Sequence, residues 1–128
     1  MGDIKPVRLD GIVTRFKGNG RKLGYPTANL TTGTDLADGV YFGFADLDRW
    51  TNQPAIIFIG TPTTMGDKIR RVEVHLFDIP DVDYYGRRLS ASLRHYHRPN
   101  LTFAGVEQLL EAMRADETAA RQWLANAA

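Results

Sequence analysis

The feature that most constrains this chain is a single change of hydrophobic period along its length. Up to about residue 104, apolar and polar residues alternate in short runs broken by Gly, Pro, Asn and Asp, which is the pattern of antiparallel strands. Side chains on a strand point alternately to opposite faces. Val72, Val74 and Leu76 therefore share one face, and Arg71, Glu73 and His75 the other. Leu89, Ala91 and Leu93 alternate in the same way with Arg88, Ser90, Ser92 and Arg94. Strands with one apolar face are half-buried, which argues against an open parallel sheet covered on both sides. The spacing predicts strands at 7–15, 41–47, 55–59, 70–77 and 89–96, with a short extended piece at 27–30. Loops are expected at 18–24, 31–39, 60–68 and 78–86. From about Gly105 the residues Val106, Leu109, Leu110, Met113, Ala120 and Leu124 recur at helical spacing, with Glu107, Glu111, Arg114, Glu117 and Arg121 off that stripe. The expectation is a mainly β chain closed by one C-terminal α-helix that packs on the sheet or barrel.

A chain of 128 residues buries roughly two-thirds of its unfolded surface, so one domain spanning 1–128 is expected. No internal repeat marks a second. Sixteen Lys and Arg against fifteen Asp and Glu leave a net charge of +1, without the excess that a nucleic-acid backbone or an anionic membrane would demand. Cysteine is absent, which excludes disulfides and thiolate chemistry and fits a reducing compartment. The first ten residues include Asp3, Lys5 and Pro6 and no apolar run, so neither a signal peptide nor a membrane span is expected. A soluble, cytoplasmic monomer acting on small molecules, with no nucleic-acid or membrane partner, follows as the default.

The stretch Gly18-Asn19-Gly20-Arg21-Lys22-Leu23-Gly24-Tyr25-Pro26-Thr27-Ala28-Asn29 carries the most chemistry. Its glycines let backbone amides approach an anion, and Arg21 and Lys22 add positive charge beside them. A plain flexible hairpin loop has the same composition. Neither a Walker A loop nor a dinucleotide fingerprint fits, because no Gly-Lys-Ser/Thr is present and the third glycine falls one residue late. Thr27 and Asn29 sit two apart in an extended segment, so a hydroxyl and an amide oxygen face the same way. Such a pair suits Mg²⁺, which takes few protein oxygens beside phosphates and water. An Asx or Ser/Thr turn capping the loop is the alternative.

This segment resembles the Gly-x-Gly-Arg-x-Leu-Gly-x-Pro-Thr-Ala-Asn hallmark of the ATP-dependent riboflavin kinases. The resemblance continues through Asp38-Gly39-Val40-Tyr41-Phe42-Gly43, Val72-Glu73-Val74-His75 and Asp83-Tyr84-Tyr85-Gly86. It extends to Arg98 five residues before Phe103, and to Asp116 ahead of Ala120-Arg121. What the resemblance implies is a six-stranded antiparallel β-barrel followed by a C-terminal helix, and transfer of the γ-phosphate of ATP, with Mg²⁺, to riboflavin to give FMN. By the same resemblance Gly18, Gly20, Arg21, Lys22, Gly24, Pro26, Thr27 and Asn29 would bind the nucleotide. Thr27 and Asn29 would hold the metal, Glu73 would be the catalytic base, and Tyr85, Arg98 and Phe103 would meet the flavin. On spacing alone Glu73 is a solvated residue on a polar strand face.

Other residues read more plainly. His75 shares the face of Glu73 and is expected to pack or hydrogen-bond. His95 and His97 lack a third metal ligand at suitable spacing. Asp78, Asp81 and Asp83 lack the Gly and Glu of a calcium loop and read as turn formers. Two departures from the family pattern stand out: Gly60-Thr61-Pro62-Thr63-Thr64 ends without an aromatic, and Arg98-Pro99-Asn100 replaces an acidic residue with Asn100. The run from Arg98 to Phe103 resembles the family's second flap, which covers the flavin ring, and Pro99 stiffens it. No adenylyltransferase half accompanies the sequence, so the reaction is expected to stop at FMN. Two other readings stand beside this one: a barrel that binds single-stranded nucleic acid, and a flavin carrier without catalysis.

Overall fold

The computed structural model of the chain describes residues 2–14, 28–30, 33–61, 69–80 and 84–127. The alternating region forms β1 (Gly2–Thr14), β2 (Ala28–Leu30), β3 (Gly39–Leu47), β4 (Trp50–Gly60), β5 (Arg71–Leu76) and β6 (Arg88–Arg98), and the helical region forms α1 (Val106–Ala127). Around the sheet the order is β1-β2-β5-β4-β3-β6, and β6 pairs back onto β1 to close a barrel. All six pairings are antiparallel. Closure removes the exposed edges that an open sheet would present.

Alternation then decides what lies inside. Leu9, Val13, Leu30, Ile57, Ile59, Val72, Val74, Leu89 and Leu93 fill the barrel interior. A second apolar cluster lies on the outer wall, where Val40, Phe42, Ile56, Phe58 and Phe77 pack against Ala119, Ala120, Trp123 and Leu124 of α1. This double burial explains why β3 reads Val-Tyr-Phe-Gly-Phe-Ala instead of alternating with polar residues. One face of β3 lines the barrel and the other lies under the helix. Trp123 completes the seam by donating its Nε1–H to Asp3 at 3.0 Å, and Asp3 also contacts Nδ1 of His95 at 2.7 Å.

Two strands begin five residues earlier than their alternation predicts. β1 starts at Gly2 because Gly2 and Asp3 pair with Tyr96 and His95, while an irregularity between Asp3 and Val7 hides the period around Pro6. β4 starts at Trp50, directly across a tight hairpin from Leu47. Its polar Thr51, Asn52 and Gln53 resemble a loop, and Asn52 takes φ 50°, a left-handed geometry tolerated by Asn. On the helix, Val106 is exposed, and the face toward the barrel runs through Asp116, Ala120 and Leu124 at intervals of four.

At Gly43 the strands β3 and β6 approach so closely that a Cβ would lie 1.9 Å from the carbonyl oxygen of Ser92. The obstacle is backbone, so a side chain there can only push the strands apart. Gly43→Ala is expected to cost roughly 2–3 kcal/mol, the upper range for overpacking a well-filled interior. Chemical denaturation would show this as a lowered midpoint with an unchanged slope. An unchanged midpoint would mean that the ladder can relax there.

Candidate active site

Strand register places residues that are distant in sequence on one hoop around the outer wall. Reading across the ladders, Arg98 pairs with Val40, Val40 with Phe58, Phe58 with Glu73, Glu73 with Asn29, and Asn29 with Thr14. Glu73 points outward because its neighbours Val72 and Val74 point in. Directly opposed side chains on one sheet face have Cβ atoms about 4.5–5.5 Å apart, so the Glu73 carboxylate and the Asn29 amide are immediate neighbours. Asn29 is only 8% exposed, and its Oδ1 is buried with no hydrogen-bond partner. A buried polar oxygen left in that condition is costly, and a ligand with positive charge would relieve it.

Arg71 stands two residues before Glu73 on the same face. Its side chain is 8% exposed, and Nη1 lies 3.6 Å from Oε1 of Glu73, itself 20% exposed. The preceding Arg70 pins the segment that enters β3. Its Nε contacts Asp38 at 2.7 Å, and its Nη1 and Nη2 donate to the carbonyls of Thr34 and Leu36 at 2.8 and 2.7 Å. One edge of the site is thereby held by side chain to backbone contacts.

The segment that follows β6 is anchored through Arg98 and Asn100. Arg98 donates from Nε and Nη2 to the two carboxylate oxygens of Asp116 at 2.8 and 2.7 Å, and from Nη1 to the Pro99 carbonyl. Nε2 of His97 lies 3.2 Å from the same carboxylate. Burial lowers the pKa of His97 despite the opposing pull of Asp116, so it contacts the carboxylate chiefly as a neutral imidazole. Asn100 donates to the Ile59 carbonyl at 2.8 Å, and it fills the space above Gly60, where a Cβ would meet its Nδ2 at 2.2 Å. Phe103 is half-buried with the Arg98 guanidinium 5.9 Å from its ring centre.

The residues singled out from the sequence are thus placed unevenly. Asn29, Glu73 and Arg98 share the hoop, and Phe103 stands beside Arg98. Tyr85 is exposed on the turn before β6, whose Gly86 and Arg87 bond to the backbone of Val13 beside Thr14 of the hoop. Gly18, Gly20, Arg21, Lys22, Gly24, Pro26 and Thr27 lie outside the described residues. Among the described residues no group of His, Asp and Glu is arranged to hold a metal by itself. In the sequence Asp116 is marked only by the family resemblance, and Arg71 only by its place on the polar face of its strand. Nothing local in the sequence marks either as part of the site.

The barrel and its covering helix resemble in fold the crystal structure of riboflavin kinase from Trypanosoma brucei. The two superpose with a TM-score of 0.71 at 20% identity, over 94% of this chain and 81% of that one, a likeness of fold. A family model described as Flavokinase, riboflavin kinase, matches residues 4–124. The chain belongs to the riboflavin kinase family. It is 37% identical over 120 residues to the bifunctional riboflavin kinase/FMN adenylyltransferase of Pseudomonas fluorescens, covering 91% of this chain and 38% of that protein. Human riboflavin kinase is 29% identical over 126 residues, covering 93% of this chain and 81% of that protein. The chain spans 18%, 38% and 34% of the lengths of the first three curated relatives it matches. No helix among the described residues is long and apolar enough to cross a membrane.

Proposed function

We propose that this chain transfers the γ-phosphate of ATP to the ribityl 5′-hydroxyl of riboflavin, releasing FMN and ADP. The observation that carries this reading is the pairing of Glu73 with Asn29, a carboxylate beside a buried amide oxygen that makes no hydrogen bond. Phosphoryl transfer asks little covalent chemistry of a protein. It asks for positioning, for neutralisation of phosphate charge, and for a group that takes the hydroxyl proton.

The Asn29 oxygen fits a hard cation such as Mg²⁺, with Thr27 as the second protein ligand. Bound there, Mg²⁺ would neutralise charge on the ATP phosphates. Glu73 would orient the 5′-hydroxyl and accept its proton late in the transfer. Gly18, Gly20, Arg21, Lys22, Gly24 and Pro26 would supply amides and charge to the nucleotide. Phe103 and Arg98 would border the flavin, with Asp116 holding Arg98 in place. Tyr85 would contribute from the turn before β6.

Incubation with riboflavin, ATP and Mg²⁺, followed by chromatographic separation of the flavins, tests the reading. FMN should accumulate in step with ADP and should cease when EDTA removes the metal. Riboflavin binding without FMN would favour a carrier. Absence of both binding and turnover would refute the assignment.

A further inference from the structure

We infer that Arg71 is a positioning residue for phosphoryl transfer, holding the Glu73 carboxylate against the charge of the incoming phosphates. The inference rests on the proposed kinase reading and adds to it a residue that the motif does not include. Three observations meet at this point. Arg71 and Glu73 are two apart on β5 and share its outer face. The guanidinium approaches the carboxylate to 3.6 Å, beyond direct hydrogen-bond length but well inside the range of strong charge attraction. Its side chain is only 8% exposed, so water screens the attraction far less than at a surface pair.

The neighbours sharpen the case. Across the ladders Glu73 faces Asn29 and Phe58, and neither carries charge. Arg71 faces Gly60, which has no side chain of its own and is covered by the uncharged Asn100. Among the described residues the cation on the hoop itself, Arg98, is committed to Asp116. A carboxylate that must work beside a triphosphate is repelled from it, and a displacement of about 1 Å at a reacting group can lower a rate on the order of 100-fold. A buried cation on the same strand opposes that displacement without touching the substrate.

A double-mutant cycle separates this role from a direct one. Arg71→Met should lower kcat by roughly 10- to 100-fold, with KM for ATP and riboflavin little changed, and Arg71→Lys should recover most of the loss. In a Glu73→Gln background the same Arg71→Met change should have almost no further effect, because a residue that acts through another falls silent when that other is removed. An equal further loss, or a rise confined to KM for ATP, would assign Arg71 to direct phosphate binding and overturn the inference. If Arg71→Met does not fold, Arg71→Lys decides: a folded Lys variant as inactive as Glu73→Gln would overturn it equally. The same cycle read by thermal melting needs no turnover, so failure of the kinase reading stays distinguishable. There, coupling of the two substitutions upholds the inference, and strict additivity of their Tm shifts refutes it.

Discussion

Glu73→Gln should lower kcat by roughly 100- to 10,000-fold, the range over which a positioned general base contributes, while riboflavin binding persists. The substitution keeps the size and planarity of the side chain and removes only its charge and basicity. Its surroundings justify the expectation that binding survives. Glu73 sits in a regular stretch of β5, paired with Asn29 on one side and Phe58 on the other, and the barrel interior beneath it is filled by Val72 and Val74. The apolar packing does not depend on the carboxylate, whose charge is met by the Arg71 guanidinium 3.6 Å away. Steady-state FMN formation compared with quenching of riboflavin fluorescence would check both halves. A variant within tenfold of the parent rate would place the base elsewhere on the wall.

Asp116→Asn should be the most destabilising conservative change on α1, by roughly 2–4 kcal/mol, as expected when one partner of a largely buried ion pair is removed. Asp116 is 5% exposed and accepts both forks of the Arg98 guanidinium, with His97 at its side. An amide can accept from only one fork and turns an NH₂ toward the other. Arg98 is then left with uncompensated charge in a site where its side chain is 22% exposed, and this partial exposure keeps the estimate below that of a fully buried pair. For a domain of this size the loss corresponds to a fall in Tm of about 10 °C. It should also weaken riboflavin binding, since the flap that begins at Arg98 loses its anchor on the helix. Thermal melts of Asp116→Asn and of a paired Arg98→Met, Asp116→Leu variant would test this. The paired change should recover much of the stability, because an apolar replacement leaves no stranded charge. A single variant melting within 2 °C of the parent (a shift of roughly 0.5 kcal/mol) would show the pair to be dispensable.

The strands that alternate cleanly were legible within a residue or two, and the reasons for the exceptions are local. β5 shows its inward Val72, Val74 and Leu76 directly, as β6 shows Leu89, Ala91 and Leu93. β1 conceals its first turns of pairing behind Lys5 and Pro6, and β4 conceals its start behind a polar Thr-Asn-Gln run after a tight hairpin. The helix was visible by period, and so was most of its inner face, Ala120 and Leu124 included; Val106 and Asp116 were the exceptions. An acidic residue at position 116 breaks an apolar stripe in sequence, yet it lies against the barrel because Arg98 and His97 await it there.

The kinds of elements and the side to which each strand residue points can be read from the residues alone, because a period of two is a property of the extended backbone whatever it pairs with. It therefore set Glu73 and Arg71 on the outer wall. Which residues stand side by side follows from strand order and register. Asn29 meets Glu73 because a three-residue β2 is inserted between β1 and β5, and Arg98 meets Asp116 because α1 folds back over the wall. Those adjacencies arise from closure and register across long stretches of chain. Many strand orders satisfy the same alternation, and the choice among them is made by burying two apolar layers at once: the barrel interior, and the outer patch beneath the helix.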